Sequence, residues 1–222
     1  MNFCSIESGG SSFSSKLWGF HEKIFNVSIQ AKTDQVCIIF HPGGIRNFTD
    51  IPYEVLLDTP DVFTAIFGEE SNDFLEQVFE TNDLAKRTAL LEHFLCKRIV
   101  NLDQKTASAW AVHQILKHNG NIKIGLLSKE LRINNSTLYK HFINHVGQTP
   151  KDFIKTARFR SALSLLKQQN PASLTDISYS SNYYDQSHFI KEFLHFTNCT
   201  PKAIRNNAVV EQEKLIWINN LQ

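Results

Sequence analysis

The spacing of apolar residues divides the 222-residue chain into a short strand-like region and a longer helical region. Before Pro52, runs rich in Val, Ile and Phe predict strands at 17–20, 24–29 and 36–40, because such residues favour pleated, half-buried positions. Beyond Pro52, apolar residues recur at helical spacing and predict helices at 53–67, 70–81, 83–100 and 104–118. Residues 1–16 are rich in Ser and Gly and are expected to be poorly ordered. Since about three strands cannot enclose a core, this sheet needs a covering element or a partner.

Residues 122–150 predict two helices joined by a tight turn. Leu127 and Leu131 share a face of the first helix, and Leu138 and Phe142 share a face of the second at i, i+4 spacing. Asn134 is placed to cap the second helix. The opposite face presents hydrogen-bonding side chains, which suit the base edges of a major groove; these candidates are Asn135, Ser136, Tyr139 and Lys140.

Residues 174–205 repeat this plan. Leu174, Ile177 and Tyr183 are predicted to face inward. Phe189, Phe193 and Phe196 are predicted to form the inner stripe of the last helix. Asp185 stands at the start of that helix, where the helix dipole favours an acidic side chain. The outward candidates for contacts with DNA bases are Gln186, Ser187, His188 and Lys191. One helix-turn-helix pattern is a weak signal, whereas a tandem with matching spacing is much stronger.

An amphipathic helix over 150–168 is predicted between the two patterns, with Pro150 in its first turn. Its length of about 27 Å would hold two recognition helices near one DNA turn apart, roughly 34 Å. Arg158 and Arg160 are candidates either for phosphate contacts or for salt bridges that fix this helix to its neighbours. The full set of candidates for phosphate contacts is Thr137, Lys151, Lys155, Arg158 and Arg160.

The distribution of charge separates the two regions of the chain. Residues 104–205 contain 14 Lys and Arg against 5 Asp and Glu, whereas the remaining residues contain 9 against 17. A basic region joined to an acidic one is typical of a polyanion-binding module with a partner domain, although basic faces are often only solvated.

The second pattern resembles the AraC/XylS family of bacterial transcription regulators. The matching motifs are Ile177-Ser178, Asp185-Gln186-Ser187-His188-Phe189, Lys191-Glu192-Phe193, Thr200-Pro201 and Ile204-Arg205, and the connecting helix also matches at Arg158, Ala162, Leu165 and Leu166. The resemblance implies a mainly α fold, in which a seven-helix tandem helix-turn-helix DNA-binding domain follows a small α+β domain with a few strands. It places base-reading residues at Ser136, Tyr139 and Lys140, and at Gln186, Ser187, His188 and Lys191.

Some positions depart from the family pattern. Ser128 and Ser178 stand where the family prefers Ala, and Arg132 and Asn182 replace turn glycines. Lys191 replaces a usual Arg, which exchanges a bidentate fork for a point charge. These changes affect the expected sequence preference rather than the fold.

Three domains are expected: a shortened, sensor-like α+β domain over 1–101, an AraC-type DNA-binding domain over 102–207, and a C-terminal tail over 208–222. The first resembles, more weakly, the later part of a sensor domain found in some family members, through His41–Gly44, Ile51-Pro52 and 84–99. His41 is interpreted as a turn residue rather than a ligand group.

The leading hypothesis is a sequence-specific DNA-binding regulator, an activator or a repressor, that inserts helices near 134–145 and 185–195 into adjacent major grooves. The alternative is a truncated regulator that acts through protein–protein association with related regulators. An enzyme, such as an alkyl-transferring repair protein, would need an activated cysteine, and the four cysteines lie in no basic or His-paired context. We expect no catalytic residues, no cofactor and no metal site.

The expected partner is double-stranded promoter or operator DNA. RNA polymerase, a second copy of the chain and an unidentified small-molecule effector are further candidates. No apolar run is long enough to span a membrane and no signal peptide is recognisable, so a cytoplasmic location is expected.

Overall fold

The computed structural model of the chain describes residues 2–9, 12–19, 34–100, 106–168, 172–211 and 215–218. The strands are β1 Asn2–Ser8, β2 Phe13–Trp18, β3 Asp34–Phe40, β4 Ala208–Glu211 and β5 Leu215–Ile218. The helices are α1 Tyr53–Asp58, α2 Val62–Phe67, α3 Ser71–Glu80, α4 Leu84–Lys97, α5 Ala107–Lys117, α6 Ile124–Leu131, α7 Asn135–Val146, α8 Pro150–Leu166, α9 Leu174–Ser180, α10 Gln186–Thr197 and α11 Pro201–Asn207. A single-turn 3-10 helix covers Gly44–Asn47. The mainly helical fold with a small N-terminal sheet is therefore confirmed.

The N-terminal sheet has the strand order β2-β1-β3 and is antiparallel throughout. The expectation that residues 1–16 are poorly ordered is wrong for the described residues of this segment, because 2–8 form β1 and 13–16 belong to β2. Ser15 shows the reason: its hydroxyl donates to Asp61 Oδ1 at 2.6 Å and accepts from the Phe63 backbone N–H at 2.8 Å. A residue type that usually indicates a loop here joins the sheet to α2.

The third strand agrees with the run predicted at 36–40, and β2 begins four residues before the run predicted at 17–20. The strand predicted at 24–29 lies outside the described residues. Helices cover the sheet, so the core of this region contains residues from both: Ile6, Leu17, Leu56, Phe63 and Leu75 are all fully buried.

The helix predicted at 53–67 is two helices. Pro60 lies between α1 and α2, and a proline ring disfavours the helical conformation of the residue before it, here the extended Thr59. Asp61 then adopts a left-handed conformation with φ of 51° and precedes α2 directly. The helix predicted at 83–100 is α4, and Asp83 caps it by accepting from the backbone N–H groups of Ala85 and Lys86 at 2.9 and 3.2 Å.

The described residues form two compact units, which we describe separately. Unit 1 comprises 2–9, 12–19, 34–100, 106–112 and 133–149; unit 2 comprises 113–132, 150–168, 172–211 and 215–218. The predicted domain limits at 101 and 207 stay a prediction. In the predicted tail, β4 and β5 pair as an antiparallel hairpin.

The core of unit 2 lies among α8, α9, α10 and α11. Its fully buried apolar residues include Ala162, Leu166, Ile177, Phe189 and Phe193. The inward stripe predicted from the sequence is thus confirmed at Ile177, Phe189 and Phe193. No helix within the described residues combines the length and the apolar character that crossing a bilayer requires.

Candidate nucleic-acid interface

Two segments of the chain have the same succession of local features. In the first, the eight-residue α6 is followed by Arg132, which adopts a left-handed conformation with φ of 55°. Asn134 then caps the twelve-residue α7, since its side chain accepts from the Thr137 backbone N–H at 2.7 Å. The cap expected from the sequence is therefore confirmed.

The second segment has the seven-residue α9 followed by Asn182, with φ of 59°. Asp185 caps the twelve-residue α10 and accepts from the His188 backbone N–H at 2.7 Å. Five residues separate α9 from α10, whereas three separate α6 from α7. Between the left-handed residue and the cap there are two residues here, against one in the first segment. Asparagine tolerates positive φ better than arginine, so Arg132 is the more strained of the two turn residues.

Both twelve-residue helices also end alike. A left-handed residue follows each of them, Gly147 after α7 with φ of 80° and Asn198 after α10 with φ of 52°. Each is followed, after one intervening residue, by Thr-Pro, and the proline is the first residue of the next helix, α8 or α11. The repeat therefore extends from α6 to the start of α8 and from α9 to the start of α11.

In α7, the inner positions are fully buried at Leu138 and Phe142, as predicted. All four predicted base-reading residues of this helix are exposed; they are Asn135, Ser136, Tyr139 and Lys140. Tyr139 has 49% of its surface accessible, which is high for an aromatic residue on a helix.

In α10, Phe189 and Phe193 occupy the buried positions that Leu138 and Phe142 occupy in α7. Three predicted base-reading residues are exposed and the fourth, Gln186, is half-buried; the exposed ones are Ser187, His188 and Lys191. Counted from the caps, Ser136 matches Ser187 and Lys140 matches Lys191. The two helices therefore present a serine and a lysine at equivalent exposed positions.

Residues 127–207 match the sequence model of a family described as a helix-turn-helix domain. This part of the chain is a helix-turn-helix domain of the AraC type. The resemblance noted in the sequence is thereby confirmed for this region. The match begins within α6 and extends through α11.

One curated relative matches about a third of the chain. The uncharacterised HTH-type transcriptional regulator YidL of Escherichia coli strain K12 is 39% identical over 71 residues, which are 32% of this chain and 24% of that protein. The present chain therefore spans about a quarter of the length of this relative.

Two solved structures show weaker likeness. The xylose-binding transcription activator xylR has 28% identity and a TM-score of 0.42, over 49% of this chain and 29% of its own. ToxT from Vibrio cholerae O395 has 16% identity and a TM-score of 0.47, over 92% of this chain and 85% of its own.

The buried Glu192 holds α10 of the AraC-type domain to α8. Its carboxylate accepts from Arg158 Nη2 at 2.7 Å and Nε at 3.2 Å, and from the Tyr183 hydroxyl at 2.9 Å. The Arg158 guanidinium also lies over the Tyr183 ring, 4.7 Å from its centroid. Both charges are largely removed from water, with 17% of the Arg158 side chain and 7% of the Glu192 side chain exposed.

Of the two roles that the sequence left open for Arg158, the structure shows the internal salt bridge, with Glu192. A phosphate contact by Arg158 stays a prediction. Burial alone would lower the pKa of Arg158, but the hydrogen bond and the charge of Glu192 outweigh it and raise that pKa. Burial, followed by the charge of Glu192, raises the pKa of the Tyr183 hydroxyl, which stays protonated as a donor.

The other candidates for phosphate contacts differ in how accessible they are. Lys151 is exposed, and Lys155 is half-buried with Nζ 3.0 Å from Asp152 Oδ1. Thr137 and Arg160 are half-buried, and burial lowers the pKa of Arg160. Lys151 is thus the basic candidate of α8 with the most accessible charge.

Two base-reading candidates of α10 make contacts within the domain. The Thr175 hydroxyl of α9 donates to Gln186 Oε1 at 2.9 Å. The His188 ring lies edge-on to Tyr183, and its Nε2 is 3.8 Å from Glu192 Oε2. Sequence reasoning named Glu192 only as part of a motif and missed Thr175, because an eleven-residue separation gives no periodic signal.

The cysteines Cys4 and Cys37 of unit 1 do not have the lowered pKa of a catalytic cysteine. Burial raises the pKa of the Cys4 thiol to about 12 and also raises that of Cys37, the opposite of the change that activates a nucleophilic cysteine. Among the described residues, no group of three or more His, Cys, Asp and Glu side chains could hold a metal ion. The His41 carbonyl accepts from the Gly44 N–H at 2.7 Å, which is a turn contact, and its side chain lines a cleft of about 320 Å³.

Proposed function

We propose that the chain is a sequence-specific DNA-binding regulator of transcription, which inserts α7 and α10 into adjacent major grooves. The observation that carries this proposal is the repeat itself. Two twelve-residue helices have equivalent caps, equivalent buried residues and equivalent exposed polar residues. One exposed polar helix face can be explained by contact with solvent alone. Two helices with matched polar faces favour a common ligand whose surface repeats.

The chemistry of these faces suits a major groove. Base edges there present distinct sets of donors, acceptors and methyl groups, and an α-helix fits the groove width. Amide, hydroxyl and imidazole groups on the two faces can donate and accept, while Lys140 and Lys191 can donate to guanine or to phosphate oxygens. In this binding mode, the side chains of the first turn of each recognition helix lie nearest the base edges.

The length of α8, the helix between the two segments, is compatible with a binding site that spans two adjacent major grooves. With 17 residues, α8 is about 26 Å long at 1.5 Å per residue. Successive major grooves on one face of B-DNA lie roughly 34 Å apart. A connector of this length, together with the turns at its two ends, is compatible with one chain contacting both grooves.

Charge supports the same partner. The segment 104–205 has nine more basic than acidic residues, while the rest of the chain has eight more acidic residues. A basic segment is attracted to the phosphate backbone and releases counterions when it binds. We propose double-stranded promoter DNA as the partner, with RNA polymerase, a second copy of the chain and a small-molecule effector as further partners still to be tested.

The first test is the salt dependence of binding by the full chain to DNA selected from a randomised pool. We expect affinity to fall steeply with salt, because each phosphate contact contributes about 0.9 to the slope of log K against log salt concentration. Replacing Lys151 with alanine should weaken binding to all sequences and reduce the slope by about 1. Replacing Lys97, an exposed lysine at the end of α4, is the matched control for the loss of one charge.

A salt-independent affinity, or equal effects of the Lys97 and Lys151 replacements, would count against phosphate contacts by this domain. Absence of DNA binding together with tight association with a related regulator would favour the alternative, in which the chain acts through protein–protein association.

A further inference from the structure

The side chain of Gln186 is held from the neighbouring helix. Thr175 lies in the first turn of α9 and Gln186 is the first residue of α10, and the Thr175 hydroxyl donates to the Gln186 amide oxygen at 2.9 Å. Both residues belong to unit 2. The hydrogen bond therefore links the two helices of the second helix-turn-helix at the exposed end of α10.

Both ends of this hydrogen bond have a fixed backbone. The Ser173 hydroxyl accepts from the Asp176 N–H at 3.1 Å and thereby caps α9 around Thr175. Asp185 caps α10 directly before Gln186. The helices themselves are joined through the buried Ile177 and Phe189. Two capped helix ends on one core keep the hydroxyl and the amide at a constant separation.

A glutamine without such a contact samples many rotamers, and ordering it upon binding lowers affinity. Here the contact with Thr175 removes part of that freedom before DNA arrives. Because the hydroxyl occupies only one lone pair of the amide oxygen, a glutamine held in this way still has the other lone pair and its N–H₂ group for a base pair. These are the groups with which a glutamine reads adenine.

The first helix-turn-helix lacks this device. When α6 and α9 are aligned on their buried serines, Ser128 and Ser178, the residue that matches Thr175 is Gly125. Gly125 has no side chain, and a Cβ placed there would meet no other atom within 4 Å. The contact is therefore a specific feature of the second segment and not a requirement of the fold.

We propose that Thr175 is a positioning residue for base recognition, which holds Gln186 in the conformation that reads one base pair. This inference rests on the proposed function, since it requires that α10 contacts base edges. It predicts that the threonine contributes to discrimination at a single position of the binding site, although Thr175 itself contacts no base.

The test compares four variants of the full chain on a selected DNA site in which each base pair is changed in turn. Gln186→Ala identifies the base pair that the glutamine reads, with an expected loss of discrimination there of roughly 5- to 150-fold. Thr175→Val keeps the shape of the side chain but removes the hydroxyl, and should lose about 2- to 10-fold at that same base pair only. Thr175→Ser keeps the hydroxyl and should retain the wild-type profile.

The fourth variant combines Thr175→Val with Gln186→Ala. If Thr175 acts through Gln186, the valine replacement has no further effect once the glutamine is absent. An equal effect in both backgrounds would overturn the proposal, because Thr175 would then contact DNA itself or act through stability. A position-specific loss for Gln186→Ala without one for Thr175→Val would overturn it while leaving the proposed function intact. No position-specific loss for Gln186→Ala would also overturn the proposal, because Gln186 would then read no base pair, while base reading by α10 is tested separately at Lys191.

Discussion

Replacing Glu192 with alanine is expected to lower the free energy of unfolding by about 3–5 kcal/mol, because it leaves a buried guanidinium without its counter-charge. Glu192 accepts three hydrogen bonds from Arg158 and Tyr183, so its loss also leaves the Tyr183 hydroxyl without that acceptor. Chemical denaturation followed by circular dichroism measures the effect. Because this network joins α10 to α8, we also expect weaker DNA binding.

The matched control is Glu70→Ala, which removes an exposed salt bridge with Arg98. The Glu70 side chain is 76% exposed, and the pair spans 3.3 Å. Such surface pairs contribute about 0–1 kcal/mol. Glu192→Gln should fall between the two, since it keeps an acceptor but removes the charge. If the Glu70 and Glu192 replacements destabilise the protein equally, the network does not fix α10 as described.

Replacing Gly120 with alanine is expected to destabilise the protein by about 2–5 kcal/mol, from backbone strain and overpacking together. Gly120 follows α5 with φ of 75°, and its N–H donates to the Ile115 carbonyl at 2.9 Å. An added Cβ would lie 2.5 Å from the Ile154 carbonyl oxygen and 2.7 Å from the Arg158 backbone nitrogen. Both atoms belong to the backbone of α8, so the helix would have to move.

Gly125→Ala is the control for this prediction, only five residues away. Gly125 lies in α6, and a Cβ added there would meet no atom within 4 Å beyond the adjacent backbone of its own helix. Alanine should therefore stabilise the helix by about 0.5–1 kcal/mol. The free energy of unfolding, measured by thermal and chemical denaturation, should therefore fall for Gly120→Ala and rise for Gly125→Ala. A neutral Gly120→Ala would show that α5 and α8 do not approach each other as closely as described.

The helical half of the protein was largely predictable because its signals are local. Leu138, Phe142, Phe189 and Phe193 recur at helical spacing and are buried, and Asp185 precedes its helix as a cap. Spacing, caps and turn residues all act within a few positions of one another.

The errors arose where distant contacts decide the structure. The serines of the first 16 residues indicated a loop, yet Ser15 bonds to Asp61 and Phe63, 46 and 48 residues away. Pro60 was a local signal for a helix break that the apolar periodicity of 53–67 concealed.

The candidate site shows the same limit. The exposed residues of α7 and α10 follow from periodicity, whereas the partners of Arg158 and Gln186 do not. Glu192 and Thr175 are 34 and 11 residues from the side chains that they bind. Sequence reasoning therefore found the exposed polar faces but could not find the contacts that hold them in place.

If α7 and α10 each read bases, substitutions in the two helices must change discrimination at two separate base pairs. The affinities of the wild-type chain and of the Lys140→Ala and Lys191→Ala variants are measured for a selected DNA site with every base pair changed in turn. We expect each variant to lose discrimination, by about 1–3 kcal/mol, at its own position, with the two positions about one helical turn apart. Uniform weakening at all positions by both variants, or loss at the same position, would contradict the account.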